Sequence, residues 1–212
     1  SRSDPRIVDP DDYSHTQAIG RSLRFFLRLI PLVHTVYIHD AFSGLDETAN
    51  TLDVRLLLGG MSTVVLGGRL STEVFGDRRF QTSGFRGSAS LQLSNRLTLS
   101  LSGQTGNKIR YVEPAYQGFG SDAAAALEFK PLDKLHFNLS LTYSDFFRRE
   151  DRSKEFDYAI LRGRTIYQIN RYLFLRAVVE YNSFRERLMT DFLASFTYIP
   201  GTVIHVGYGS FY

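Results

Sequence analysis

The 212-residue chain has no cysteine, and this absence excludes several kinds of chemistry. Such a chain forms no disulfide bond, holds no metal through thiolates and offers no cysteine nucleophile. Zero cysteine fits an oxidising compartment of the cell envelope, although many cytosolic proteins lack cysteine as well. Any site in this protein therefore depends on other residue types.

Long apolar runs are also missing, and proline is scarce. No stretch of about 18 uncharged apolar residues occurs, so the sequence predicts no transmembrane helix. The 17 Phe, 12 Tyr and 17 Gly against only 6 Pro favour strands and turns instead. A hydrophobic content of 43% does not exclude a membrane protein, because the strands of a membrane barrel are apolar on one face only.

Neither sign of charge is in marked excess. The 25 Lys and Arg residues and the 22 Asp and Glu residues are well mixed and leave a net charge of +3. Nucleic-acid-binding domains cluster their basic residues, so no nucleic-acid partner is predicted. Residues 1–16 are polar and contain no signal-peptide core. We interpret them as a tail or linker that begins either a mature chain or a cut from a longer protein.

Residues 135–145, LHFNLSLTYSD, carry the clearest strand pattern. Side chains alternate between the two faces of a strand, so one face here is polar and the other is apolar, with Leu135, Phe137, Leu139, Leu141 and Tyr143. The run of eleven residues is longer than the roughly 5–6 residues of strands in soluble domains. It matches the roughly 9–11 residues that cross a bilayer at a tilt.

The same alternation recurs along residues 17–212 and predicts about twelve strands. The predicted strands cover residues 18–30, 32–42, 51–58, 63–75, 84–93, 96–104, 121–130, 135–145, 157–168, 172–181, 188–198 and 202–212. The joints alternate between short and long, and the longest predicted loops are 105–120 and 146–156. Unequal rims are typical of outer-membrane barrels. We therefore predict an all-β fold, an antiparallel up-and-down transmembrane β-barrel.

The strand count bears on how much of a barrel is present. Complete bacterial barrels have an even number of strands and short periplasmic turns. Here the first and last joints are both short, so twelve strands leave both chain ends on the rim with long loops. We expect at least one further strand at each end, and hence part of a larger barrel, unless the count is wrong by one near Pro31.

Three stretches share one pattern of strand and turn residues. Residues 165–212 read TIYQINRYLFLRAVVEYNSFRERLMTDFLASFTYIPGTVIHVGYGSFY, residues 141–149 read LTYSDFFRR and residues 110–120 read RYVEPAYQGFG. This pattern resembles that of the C-terminal barrel in a family of large outer-membrane proteins of unknown function. Those proteins carry an N-terminal family-9-like carbohydrate-binding domain. The likeness covers residues 82–212 well and the first eighty residues weakly. It contains no catalytic motif.

The alternating strands and the unequal rims predict a bacterial outer-membrane location and a role as membrane anchor or pore domain of a larger envelope protein. The implied partners are outer-membrane lipid, other envelope subunits and a glycan bound by the carbohydrate-binding domain. Since that domain is absent from this chain, no sugar contact transfers to any residue here.

The strand pattern also predicts charged side chains on the face away from lipid. These lumen-facing candidates are Arg24, Arg28, Arg55, Arg69, Glu73, Arg86, Asp122, Glu128, Arg162, Arg164, Arg176, Glu180 and Asp191. A charged lumen selects solutes by sign, here weakly for anions. The alternative is a filled interior, in which paired charges hold the strands in register without passing a solute.

Two loops offer possible ligand contacts. Tyr111, Tyr116 and Phe119 are candidates to stack on a sugar, or else they belong to an aromatic band at the membrane interface. The charged stretch 146–156 is either a grip for phosphate groups of outer-leaflet lipid or a solvated loop, and it lacks the ligand spacing of a calcium loop. The sequence predicts no metal and no cofactor.

Catalysis finds little support in the sequence. His136 and Ser140 share a strand face and are the nearest approach to the serine–histidine pair of an outer-membrane hydrolase, but a nucleophile also needs a third group that orients its base. We predict no enzyme. The remaining alternative is a soluble all-β ligand-binding domain, in which the apolar faces form an interior core.

Overall fold

One antiparallel sheet contains every strand that the structure describes. The computed structural model describes residues 26–39, 46–75, 78–199 and 201–212. The strands are β1 (Phe26–His39), β2 (Asp46–Leu58), β3 (Ser62–Phe75), β4 (Arg78–Gln81), β5 (Gly84–Ser94), β6 (Leu97–Arg110), β7 (Tyr116–Leu132), β8 (Leu135–Arg148), β9 (Lys154–Gln168), β10 (Leu173–Asn182), β11 (Arg187–Ile199) and β12 (Thr202–Phe211). None of the described residues forms a helix long and apolar enough to span a membrane.

The sheet is a simple meander. The strands lie in the order β1, β2, β3, β5 and onward to β12, and short β4 pairs with the end of β3. Each long strand thus pairs with its neighbours in the chain, which confirms the predicted all-β class and up-and-down order. β1 and β12 are the two edges and do not pair with each other. The sheet is therefore open over the described residues.

The first strand corrects the sequence prediction. Two strands, 18–30 and 32–42, were expected to be separated at Pro31, but β1 is one strand that runs through Pro31, which pairs with Val54. Proline lacks an N–H group, and an edge strand tolerates this because one side of its backbone has no partner. The predicted twelve strands become eleven long strands plus β4, which lies in a predicted loop. Residues 18–25 lie outside the described residues.

The two longest predicted loops are also much shorter than expected. β6 continues to Arg110 and β7 begins at Tyr116, which leaves five connecting residues in place of 105–120. β8 continues to Arg148 and β9 begins at Lys154, which again leaves five, in place of 146–156. In these extensions neither face is consistently apolar. A search for period-two hydrophobicity therefore does not detect them.

The two rims of the sheet differ. Joints of two to four residues lie on the short-turn rim, such as Asn95 and Arg96 between β5 and β6. Joints of four to eight residues lie on the long-loop rim. β1 begins on the short-turn rim, because Phe26 pairs with Leu58 beside the β2–β3 turn. The expectation that both ends of the strand series lie on the long-loop rim is therefore wrong for β1. The stated alternative, a strand count wrong by one near Pro31, is confirmed.

The pairing register produces an unbroken apolar row across ten strands, which continues to Tyr212 directly after β12. Directly paired residues point to the same face, and this row consists of Leu29, Leu56, Val64, Ala89, Leu101, Ala125, Leu141, Leu161, Tyr181, Leu188 and Tyr212. Parallel rows above and below add further Leu, Phe, Tyr and Val. We call this side the apolar face. It is uncovered: Phe85 is 75% exposed and Leu70 is 68% exposed.

The opposite side, which we call the polar face, carries small and charged residues. One of its rows runs from Asp53 through Gly67, Arg86, Gln104 and Asp122 to Ser144. Few apolar side chains are buried in the described part of the protein, namely Phe80, Ile109, Ala115, Phe146 and Val178. The sheet is thus two-faced, and no core covers its apolar side within the described residues.

Candidate functional site

The predicted lumen-facing charges share the polar face. The register places twelve of the thirteen there: Arg28, Arg55, Arg69, Glu73, Arg86, Asp122, Glu128, Arg162, Arg164, Arg176, Glu180 and Asp191. The remaining one, Arg24, lies outside the described residues. That the polar face lines a lumen stays a prediction.

One ion pair spans three strands over a glycine. The Arg86 Nε donates to Asp53 Oδ1 at 3.0 Å, and an Nη donates to the other carboxylate oxygen. Gly67 lies between them in the register, paired with Asp53 on one side and with Arg86 on the other. Because Gly67 has no side chain, the two charged groups meet above β3. The bidentate geometry joins β2 to β5.

A second network joins β6, β7 and β8. The Asp122 carboxylate accepts hydrogen bonds from Gln104 Nε2 at 2.7 Å, Lys108 Nζ at 2.7 Å and Ser144 Oγ at 2.6 Å. Lys108 Nζ also lies 3.3 Å from the Asp145 carbonyl oxygen, to which it donates. Since every donor comes from a neighbouring strand, this carboxylate links the middle of the sheet.

Two further ion pairs join β9, β10 and β11 on the polar face. Arg176 Nη2 lies 3.0 Å from Asp191 Oδ1, and Arg162 Nη1 lies 3.7 Å from Glu180 Oε2. In the described part of the chain no carboxylate lies within ion-pair distance of Arg28, Arg55 or Arg164. The paired charges hold strands together, and the remaining guanidinium groups give this face a positive balance.

At the long-loop rim the polar face carries an aromatic cluster: Tyr116, Phe146, Phe156 and Tyr158. Neighbouring rings lie 5.7–6.3 Å apart between centroids. Phe146, at its centre, is only 2% exposed. Gly118 makes room for it, because a Cβ there would collide with the Phe146 ring. The cluster gives the rim of the polar face an apolar surface.

A β-bulge brings Glu155 to this cluster. The β8–β9 register shifts between Phe146 and Phe147, so that β9 has an extra residue at Glu155, and bulges redirect side chains in this way. The Tyr116 hydroxyl donates to Glu155 Oε1 at 2.5 Å. Arg110 Nε lies 3.4 Å from the same oxygen, and the Arg110 guanidinium stacks 5.3 Å above the Phe156 ring.

The aromatic cluster borders a cleft of about 630 Å³. The cleft is closed on one side by the β10–β11 turn, which contributes Phe184 and Arg185, while Arg110, Glu155, Phe156 and Tyr158 form its other side. Its volume lies within the roughly 300–1,000 Å³ of small-molecule sites. It is the candidate binding site on the polar face.

The three aromatic residues proposed as loop ligand contacts do not form one surface. Tyr116 belongs to the aromatic cluster on the polar face, whereas Phe119 stacks on Phe147 at 5.2 Å on the apolar face. Tyr111, in the β6–β7 connection, donates its hydroxyl to Glu73 at 2.6 Å. Burial raises the pKa of Tyr111 to about 12, and the Glu73 carboxylate adds to the effect, so this hydroxyl stays a donor at neutral pH.

The serine–histidine pair considered for hydrolysis is not assembled. His136 Nε2 lies 3.3 Å from the Asp133 carbonyl oxygen, and Ser140 is four residues along the same strand, roughly 13 Å away at about 3.3 Å per residue. That distance exceeds hydrogen-bond reach. Across the described ranges no group of three or more His, Cys, Asp and Glu residues is arranged to hold a metal ion.

Sequence reasoning missed Arg110, Glu155, Phe156 and Phe184 as members of one site. They come from three separate hairpins, and a bulge redirects the Glu155 side chain. Their spacing in the sequence therefore does not indicate that they lie close together. Comparison of the chain with family models, curated proteins and solved structures finds no match.

We expect Gly67→Ala to destabilise the sheet. A Cβ at this position would meet the Asp53 carboxylate and lie 2.7 Å from the Leu52 carbonyl oxygen. Either the ion pair or the β2–β3 ladder must shift, so equilibrium unfolding in urea should give a loss of about 1–3 kcal/mol. Gly163→Ala is the matched control, since the nearest atom, Leu139 Cδ1, is 4.0 Å away. Equal losses at both glycines would contradict this account.

Asp122→Asn should lower the free energy of unfolding by about 1–3 kcal/mol, because it leaves the half-buried Lys108 ammonium without its counter-ion. The control is Glu128→Gln, on the same strand and face, where the side chain is exposed and makes no ion pair with a described residue. The control should stay within about 0.5 kcal/mol of wild type. A neutral Asp122→Asn, measured by the same unfolding curves, would argue against the network.

Proposed function

We propose that this chain forms the wall of an integral β-barrel in the bacterial outer membrane and serves as the membrane anchor or pore domain of a larger envelope protein. The observation that carries the proposal is the uncovered apolar face, whose central row crosses ten strands without interruption and continues to Tyr212. Its counterpart is the polar face, which holds twelve of the thirteen predicted lumen-facing charges.

The size of the apolar face favours lipid over water. Eleven strands at about 4.8 Å spacing make a sheet roughly 50 Å wide, so even a band of roughly 20 Å in height covers about 1,000 Å². Monomeric soluble proteins rarely expose a contiguous apolar patch above about 300–600 Å². A soluble ligand-binding domain would need other protein segments to bury an apolar area of this size, whereas a lipid bilayer buries it directly.

The height of the apolar band also suits a bilayer. On β8 the outward positions from Leu135 to Tyr143 are all apolar, and this span is about 27 Å along the strand, or about 20 Å along a barrel axis at a tilt of about 40°. Outer-membrane barrels present an apolar band about 25 Å tall with aromatic girdles. Phe137 and Tyr167 lie towards the short-turn rim of this face, and Tyr143 and Tyr181 lie towards the long-loop rim.

The directions of the edge strands support a larger barrel. With eleven long strands in antiparallel order, β1 and β12 run in the same direction. An all-antiparallel closure therefore needs an odd number of strands between them. This agrees with the resemblance to barrels of larger envelope proteins, in which outer-membrane lipid, other envelope subunits and a separate glycan-binding domain are the proposed partners.

Extraction is the first test of this proposal. We expect the full-length protein to require detergent for release from envelope membranes, to show a β-rich circular dichroism spectrum and to migrate faster on a gel when unheated. Closed barrels resist unfolding by the gel detergent because every strand is hydrogen-bonded on both sides. Release in buffer alone, with no shift on heating, would assign the apolar face to a protein partner.

Leu141→Arg and Thr142→Arg test the orientation of the sheet. The two positions are adjacent and exposed but lie on opposite faces. In lipid vesicles Leu141→Arg should lose about 2–4 kcal/mol of folding free energy, the cost of an arginine near the bilayer midplane, whereas Thr142→Arg should lose much less. Guanidinium titration of vesicle-folded protein measures both. Equal tolerance would contradict lipid contact at Leu141.

A further inference from the structure

The cleft at the long-loop rim has a structure that a membrane wall does not require. The β10–β11 turn that closes it is held in place from both sides. Asn182 Oδ1 accepts from the backbone N–H groups of Phe184 at 3.0 Å and Arg185 at 3.2 Å. Ser183 Oγ accepts from Ala159 N at 2.7 Å, which ties the turn to β9. Phe184 is nevertheless 68% exposed, so an ordered turn presents a large apolar ring beside the cleft.

The ionic groups of the cleft favour an anion. Glu155 already accepts the Tyr116 hydroxyl and faces Arg110, so its charge is compensated within the protein. Arg110 Nε is buried against Glu155, but the Arg110 side chain as a whole is 41% exposed. Arg185 is exposed and makes no ion pair with a described residue. With two guanidinium groups against one engaged carboxylate, the cleft offers donors in excess of acceptors.

The apolar surfaces of the cleft favour a flat ligand. Phe156 and Tyr158 belong to the aromatic cluster, and the exposed Phe184 ring lines the same space. Aromatic side chains bind planar groups by stacking. A guanidinium binds a carboxylate through two parallel hydrogen bonds, a geometry that suits a carboxylate attached to a ring.

We propose that the cleft binds a small organic anion with a planar apolar body. The acid group contacts Arg110 and Arg185, and the ring packs against Phe156 and Phe184. The site does not depend on the membrane proposal, because the cleft is built from polar-face side chains and a turn in either case.

The probe for this site is 2-naphthoate, whose own fluorescence reports binding in a protein that has no tryptophan. The full chain is titrated in whichever of buffer or detergent keeps it dispersed, with 2-naphthamide as the neutral counterpart. We expect saturable binding of 2-naphthoate and about tenfold weaker binding by Arg110→Gln, by Arg185→Gln and of the amide. Phe184→Ala should weaken both probes.

Arg152→Gln is the matched control, since Arg152 is an exposed arginine of the β8–β9 connection and does not line the cleft. It should bind like wild type. Arg185→Gln guards against misfolding, because its side chain is exposed on a turn. The proposal is overturned if 2-naphthoate shows no saturation, if the amide binds equally well, or if Arg185→Gln binds like wild type. Each outcome is independent of extraction and heat-modifiability, so failure here leaves the barrel proposal intact.

Discussion

The antiparallel register between neighbouring strands is the constraint on which the rest of this structure depends. Strand side chains alternate with a period of two, so a slip of one residue would move a whole strand's apolar set to the polar side. The Asp53–Arg86 pair and the Asp122 network act against such a slip, because each joins polar-face groups from different strands. Gly67 makes the first of these contacts possible, because the ion pair between Asp53 and Arg86 crosses above it.

The long-loop rim lacks the apolar–polar alternation found in the middle of the sheet. There the strands continue beyond the apolar band, and pairing persists although neither face is consistently apolar. Freed from the requirement for alternation, this rim accommodates the Glu155 bulge and the aromatic cluster around Phe146. The same separation allows a candidate ligand site and the proposed lipid-facing wall to share one sheet. The wall needs regular alternation, whereas the site needs convergence of side chains from several hairpins.

Much of the fold was predictable because strand alternation is a local property. In the run from Leu135 to Tyr143, neighbouring residues alone show which face is apolar and which is polar. The charged positions on the polar side follow from the same two-residue alternation. The errors arose where that signal is weak or misleading. Pro31 is an ordinary end signal, but an edge strand has no partner on one side and tolerates it. Residues 105–110 and 116–120 lack alternation, yet they pair with each other through their backbones.

The sequence by itself determined that this chain forms long antiparallel strands with one apolar and one polar face, because those features depend on residues two apart. Only the tertiary structure decided which charges meet. Asp53 and Arg86 are 33 residues apart, and Tyr116 and Glu155 are 39 apart. Such pairs depend on the register of each hairpin, and in the case of Glu155 on one extra residue in β9. A local pattern does not reveal the register of a hairpin or the presence of an extra residue. The backbone hydrogen bonds that set the register have the same form whatever the side chains are.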